Sequence, residues 1–380
     1  MQLEEYLIQR NEIVNNFSKK SKVWQEDIMI AKFNIVSGCL SNYLPNIPQE
    51  EHTQIFKNIF IHQKLSMFEQ SFYELPDYVA YENLNSQIWN LLKKRTSIIC
   101  TFHTGSYRLI NLFLAKNEIP YSLVVSKDVI ATQGSSFKEM FKELNKSENT
   151  EEALKLIDAE SPTSILQMIR DLKSGRNLVI YIDGNSGSGN ETINNNNNCV
   201  INFLNKKIYA RQGIGFLAHR MQVPILTVAS YRESLNEIKL KFFDPIFSDI
   251  KQDRDVFIKN TTQNIYDLIA PIIKQYPEQW EAWLYLHKVA DTTENIFDID
   301  SESTVLPKVN DRFRFNSSCF GIFKIIKDNF LFKKSNYKSY RISDSVYDVL
   351  NMCMTEPIMR NQIFIAEFAE LYRSKVLVCA

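Results

Sequence analysis

His103 stands in the run SIICTFHTGSYRLINLFLAK, residues 97–116, where a buried-looking apolar stretch gives way to hydroxyls, a glycine and an arginine. An imidazole exchanges protons near neutral pH, so a histidine at the mouth of a strand reads as a general base. A histidine satisfied by backbone at a strand end is the competing account. Asp183 closes a second apolar run, NLVIYID at 177–183. A carboxylate there serves to orient His103, to take a substrate hydrogen bond, or to cap the loop that follows. One helical turn beyond His103, where an orienting acid is expected, stands Arg108. Its guanidinium pairs bidentately with phosphate or carboxylate, which makes Arg108, with Ser106 beside it, a candidate for substrate binding. Arg211 precedes a glycine-spaced stretch, RQGIG, whose helix amides suit a phosphate or a developing oxyanion. Gly213 and Gly215 equally permit close packing against a sheet. His287, in WEAWLYLHK, sits among aromatic residues and reads first as a packed side chain.

The elements that must position these groups follow from periodicity. Residues 1–90 carry apolar side chains at helical spacing, as in Ile55, Phe56, Ile59 and Phe60, broken by the turn signal LPNIP at 44–48. From 91 to 295 short β-like runs alternate with helices: SIICTFH, YSLVVS, NLVIYID and PILTVASYR. That alternation predicts an α/β domain with a mostly parallel central sheet flanked by helices. In SPTSILQMIRDLKSGRNLVIYID, Ser161 is placed to cap, Pro162 to take the first helical position and Gly175 to end the helix. The polar run GNSGSGNETINNNNNC after Asp183 predicts a loop at the carboxyl edge of the sheet, where ligands of open α/β sheets bind. A polar, acidic linker is expected near 291–311. The tail, 311–380, reads as a small β-β-β-α-α module with turns at Asp328-Asn329 and Ser335-Asn336.

Composition excludes several classes. Forty-four basic residues balance forty-four acidic ones, so no global field draws the chain to nucleic acid. The six cysteines form no C-x-x-C pair, which argues against a zinc site or a disulfide framework and predicts reduced thiols in a cytoplasm. The start, MQLEEYLIQRNE, has no apolar signal region, and no apolar run reaches the roughly 18 residues of a membrane span. Peripheral membrane contact stays open.

Four stretches, FHTGSYR at 102–108, LKSGRNLVIYIDGNSGSG at 172–189, ARQGIGFLAHRMQVPILTVASYR at 210–232 and YPEQWEAWLYLHK at 276–288, occur in this order. Together they resemble the bacterial acyltransferases that add secondary acyl chains to lipid A, in the lysophospholipid acyltransferase superfamily. The resemblance implies a histidine that deprotonates the acceptor for attack on an acyl thioester, followed five positions later by Asp or Glu. His103 matches the histidine; Arg108 stands at the acidic position. It also implies an Asp where Asp183 falls, and a histidine or arginine in an aromatic stretch where His287 falls. Three accounts of Arg108 follow. Asp183 replaces the missing acid, His103 works alone on an amine or thiol, or the site only binds acyl chains.

The lipid A enzymes usually begin with a hydrophobic helix. The charged start of this chain turns the expectation toward a small molecule, a peptide or a carrier-bound acceptor. The tail, with FGIF and with YRIS before an amphipathic helix, resembles the winged-helix modules that bind leader peptides in ribosomal peptide biosynthesis. In that likeness a peptide adds as a strand to the three-stranded sheet; a subdomain that merely covers the core is the other account. The expected protein is a cytoplasmic acyltransferase. It uses an acyl carrier protein or coenzyme A thioester as donor, a specialised acceptor such as a natural-product peptide, and no further cofactor or metal, with His103 and Asp183 catalytic. A non-catalytic protein that presents acyl chains or peptides to a partner enzyme is the alternative, and aminoacyl transfer a third.

Overall fold

The apolar runs that promised a sheet are strands buried on both faces, as parallel strands covered by helices must be. In the computed structural model they are β2 (Ile98–Thr101), β3 (Tyr121–Val125), β5 (Asn177–Tyr181) and β8 (Ile225–Ser234). They are joined by β1 (Ala80–Glu82), β4 (Leu154–Asp158) and β9 (Glu237–Phe242), which the sequence reading passed over, in a seven-stranded sheet ordered β1-β9-β8-β2-β5-β3-β4. From β8 to β4 neighbouring strands are parallel; β9 turns back antiparallel to β8, and β1 follows β9. The structure describes residues 3–19, 22–144, 154–184, 197–249, 251–293 and 307–380. Residues 185–196 of the expected polar loop and 294–306 of the expected linker lie outside the described residues.

Met1–Phe17 and Lys57–Ala282 form one compact unit; Ser18–Phe56 and Trp283–Ala380 form another. The N-terminal helices are α1 (Leu3–Lys19), α2 (Asp27–Tyr43) and α3 (His52–Glu69); in the first unit the sheet is flanked by α4 (Ser86–Lys94), α5 (Leu109–Lys116), α6 (Lys127–Leu144), α7 (Ser164–Lys173), α8 (Gly213–Met221) and α9 (Arg254–Gln275). Ile99, Leu123, Val179, Leu226 and Val228 of the strands share a core with Ile110, Phe113 and Phe141 of the helices. α5 is apolar apart from Asn111 and Lys116, and each of its residues except Lys116 is buried. An antiparallel hairpin, β6 (Asn198–Phe203) and β7 (Lys206–Arg211), lies outside the sheet. The start of α7 corrects one expectation: the helix begins at Ser164, and Ser161 instead accepts the Thr163 N–H at 3.3 Å in a turn. Gly175, at φ +85°, takes the left-handed conformation after the helix.

The second unit pairs β11 (Phe320–Ile325), β12 (Asp328–Lys333) and β13 (Lys338–Ile342) as an antiparallel sheet. β10 (Arg312–Phe315) pairs separately with β14 (Ile358–Met359) and β15 (Leu377–Cys379). The helix Asp27–Tyr43 packs on this unit, where Asn34 Nδ2 donates to the Ile322 carbonyl at 3.1 Å and Ala31 meets Phe323 and Phe332. Two readings of the tail change. The first hairpin turns at Ile326, φ +58°, rather than at Asp328-Asn329, which lie within β12. The last helix, expected over MRNQIFIAEFAELYR at 359–373, is confined to Phe368–Arg373, because Ile358–Met359 pair with β10 and Arg360–Gln362 form a 3-10 turn. The fold is thus α/β: N-terminal helices, a mostly parallel seven-stranded sheet with flanking helices, and small C-terminal antiparallel sheets. Among the described residues no helix is long and apolar enough to cross a membrane.

Candidate active site

β2 and β5 are neighbours in register, with Thr101 opposite Tyr181. The Ile182 N–H continues the ladder to the Thr101 carbonyl at 3.0 Å. One step further, two residues beyond the Thr101–Tyr181 rung on each strand, stand His103 and Asp183. Register alone therefore sets them side by side, 80 residues apart in sequence.

Asp183 Oδ1 lies 2.8 Å from His103 Nδ1. The same carboxylate accepts the His103 backbone N–H, at 3.0 and 3.2 Å, and the Trp280 indole N–H at 2.8 Å. A carboxylate has no proton to give, so Nδ1 is the donor, and in the neutral ring Nε2 keeps its lone pair. The imidazole is 20% exposed and the Asp183 side chain 3%. Burial disfavours the imidazolium, but the charge and hydrogen bond of Asp183 outweigh it, with a smaller contribution from Glu281 and an opposing one from Arg108. The net result is a pKa raised above the ordinary histidine value. Tyr107 and Tyr181 flank the ring, with centroids at 4.8 and 4.7 Å. Their own positions are linked, since the Tyr181 hydroxyl donates to the Tyr107 carbonyl at 3.0 Å and accepts from Asn111 at 3.2 Å.

The loop after His103 is tied down on its other side. Gly105 has φ +52°, and a Cβ there would come within 2.8 Å of Tyr231 Cα, so both conformation and space require glycine. Its N–H donates to the Gln279 carbonyl at 3.0 Å, and Thr104 Oγ1 donates to the Ser230 carbonyl at 2.8 Å. The Gln279 amide in turn clasps the Arg232 backbone, accepting its N–H at 2.8 Å and donating to its carbonyl at 2.7 Å. The PEQW stretch is thereby stitched both to β8 and to the loop that carries the histidine.

Ser106, expected among substrate-binding groups, is 1% exposed and donates its hydroxyl to Glu69 Oε2 at 2.8 Å. Glu69 is paired with Arg232 at 2.5 and 2.6 Å and accepts the Tyr6 hydroxyl at 3.0 Å. The hydroxyl of Ser106 thus anchors the loop from beneath. Arg108 is directed to the amide oxygens of Gln70 and Gln133 and lies over the Tyr107 ring at 5.4 Å. Among the described residues no carboxylate pairs with it.

Arg211 ends β7 and is half-buried, and burial lowers its pKa. α8 follows it, and a Cβ on Gly215 would sit 3.1 Å from Ile258 Cα, so this glycine admits α9 rather than the sheet. His287 belongs to the second unit; burial depresses its pKa to about 4, and its ring lies 6.0 Å from that of Tyr337. His103, Asp183 and Arg108 thus come together, while Arg211 stands on the hairpin and His287 in the other unit.

Glu69, Arg232, Gln279 and Trp280 received no role from the sequence. Arg232 could have been noticed as a charge late in a long apolar strand, and Gln279 and Trp280 lie in a stretch already singled out. Among the described residues no group of three or more His, Cys, Asp or Glu could hold a metal ion. Residues 89–288 match the family model described as bacterial lipid A biosynthesis acyltransferase. No curated protein sequence matches the chain.

Proposed function

Because the chain belongs to the bacterial lipid A biosynthesis acyltransferase family, and at that level is an acyltransferase, we propose that His103 and Asp183 are its catalytic pair. In this reading they move an acyl group from an acyl carrier protein or coenzyme A thioester to a specialised acceptor. The observation that carries this reading is the 2.8 Å contact between Asp183 and His103 Nδ1, at the carboxyl ends of two adjacent parallel strands.

The acceptor's nucleophile approaches His103 Nε2 and loses its proton to it while bonding to the thioester carbonyl carbon. The tetrahedral adduct then expels the thiolate as the C–S bond breaks, and the imidazolium returns the proton to sulfur. Asp183 holds the ring in the productive tautomer and balances the positive charge that appears on it. Asp183 lies next to the base in space rather than five residues along the chain, so a carboxylate partner is in place although Arg108 occupies the family's acidic position. Arg108, held by neutral amide oxygens, keeps a charge available for an oxyanion such as the phosphate of a phosphopantetheine arm.

The acceptor we favour is a peptide or another specialised molecule. What supports a peptide is β13 of the second unit, which closes one side of its sheet and whose residues 338–341 are exposed, an edge that an extended chain can extend. The non-catalytic alternative, in which the site only holds acyl chains, is favoured by Arg108 alone.

The deciding experiment incubates acyl-loaded carrier protein with candidate acceptors and reads intact mass. His103→Ala should lower transfer on the order of 10³-fold. Transfer at the wild-type rate in that variant would remove His103 as the base.

A further inference from the structure

Glu281 is an acidic group near the histidine that the pair just described does not use. It opens the short 3-10 turn Glu281–Leu284, directly after Trp280. Its backbone N–H donates to the His103 carbonyl at 3.0 Å, so its main chain is fastened to the residue that carries the imidazole. Its Oε2 is buried and accepts no hydrogen bond. A carboxylate oxygen withdrawn from water without a donor is costly, and such atoms are few in folded proteins. In a poorly solvated site, however, an unscreened carboxylate acts strongly on its neighbours.

We infer that Glu281 is a second acidic partner of His103, whose charge stabilises the imidazolium formed when the ring takes the acceptor's proton. The inference rests on the reading of His103 as base. Glu281 is a positioning residue: it acts through the histidine and supplies negative charge in a site whose fifth position after that histidine carries a guanidinium.

The groups against the imidazole are Asp183 and Tyr181, at and just beyond the end of β5, and Tyr107, just before α5; the charges of Arg108 and Glu281 also act on it. Asp183 and Glu281 both favour the protonated ring and Arg108 opposes it; Glu281 also raises the pKa of Tyr107, after burial. The charge of Glu281 therefore reaches the imidazole and the Tyr107 ring packed against it.

The test is a pH titration of the full-length chain carrying ¹³C-labelled histidine, with the His103 signal assigned by its disappearance in His103→Gln. In Glu281→Gln the His103 midpoint should fall by about one pH unit, the small end of the effect of a nearby opposite charge. Glu281→Asp, which keeps the charge, should restore most of it. The rising limb of the rate against pH should move to lower pH with the midpoint, and the plateau should fall about tenfold, the equivalent of that shift. An unmoved midpoint in Glu281→Gln overturns the inference, as does an equal fall in Glu281→Asp, because shape and not charge would then be the agent. Should Glu281→Gln fail to fold, Glu281→Met gives the same reading. The titration reports on Glu281 and the His103→Ala assay on the base, so the two failures are separate observations.

Discussion

In the sheet unit Glu69 and Arg232, 2% and 1% exposed along their side chains, meet as opposite charges, with Ser106 and Tyr6 donating to the same carboxylate. In the other unit Lys334, only 3% exposed, donates to Ser37 Oγ at 2.8 Å and to the Ser317 carbonyl at 2.7 Å, both neutral. Ser37 in turn lies 2.9 Å from His52 Nδ1. Burial pushes the Lys334 ammonium down to about 8, and burial together with the Lys334 charge holds His52 at about 4. Paired charges offset each other's desolvation, whereas a lone ammonium among neutral acceptors is driven toward its uncharged form. A carboxylate also holds His103, and in the reaction proposed above that is where an imidazolium forms. The Lys334 cluster fastens β12 to the helix Asp27–Tyr43 without such a demand.

The sharpest way to break this comparison is at Asp183. Its carboxylate accepts three N–H groups, and an amide in its place must turn its own N–H₂ toward at least one of them. Asp183→Asn should therefore lower acyl transfer on the order of 10³- to 10⁴-fold and also cost about 1–3 kcal/mol of stability. Rate assays paired with urea unfolding check both; a variant with wild-type rates would show that the histidine needs no acid.

Next in size is Glu69→Ala, which leaves Arg232 buried without its counter-charge and should cost about 3–5 kcal/mol. The double variant Glu69→Ala, Arg232→Met should recover much of the loss, since the stranded charge goes with it. Urea midpoints of the two variants decide; a single variant within about 1 kcal/mol of wild type would mean that water reaches the pair.

Smallest is Lys334→Met, expected to change stability at pH 7 by about 1 kcal/mol or less, because removing a buried cation offsets the loss of its hydrogen bonds. Its signature lies in pH. The folded-state value of about 8 is below the ordinary lysine range, so between the two the unfolded chain binds more protons and stability should rise as the medium becomes more alkaline. Unfolding midpoints between pH 7 and 10.5 should show that slope in the wild type and lose it in Lys334→Met. A slope that persists in the variant would assign it to another group.

The four strands of the seven-stranded sheet that could be read from the chain are those whose apolar runs are buried on both faces, so composition alone exposes them. β4 buries only Leu154 and Ile157, β1 and β9 lie on the far side of β8, and the β6–β7 hairpin is half polar; none offers a continuous apolar signal. His103 and Asp183 were legible because a titratable residue at the end of an apolar run is unusual. Arg232 carries a similar mark, a charge late in an apolar strand, but Glu69 carries none, and nothing along the chain shows that the two pair.

What the sequence by itself determined is the set of local choices: strands where apolar residues run without interruption, helices where they recur at helical spacing, a glycine at 105, and an imidazole and a carboxylate at two strand ends. Only the tertiary structure decided that those strand ends meet. Strand order and register arise from packing and hydrogen bonding between segments about 80 residues apart. The rung joining Thr101 to Tyr181, not any spacing along the chain, brings the imidazole and the carboxylate into contact.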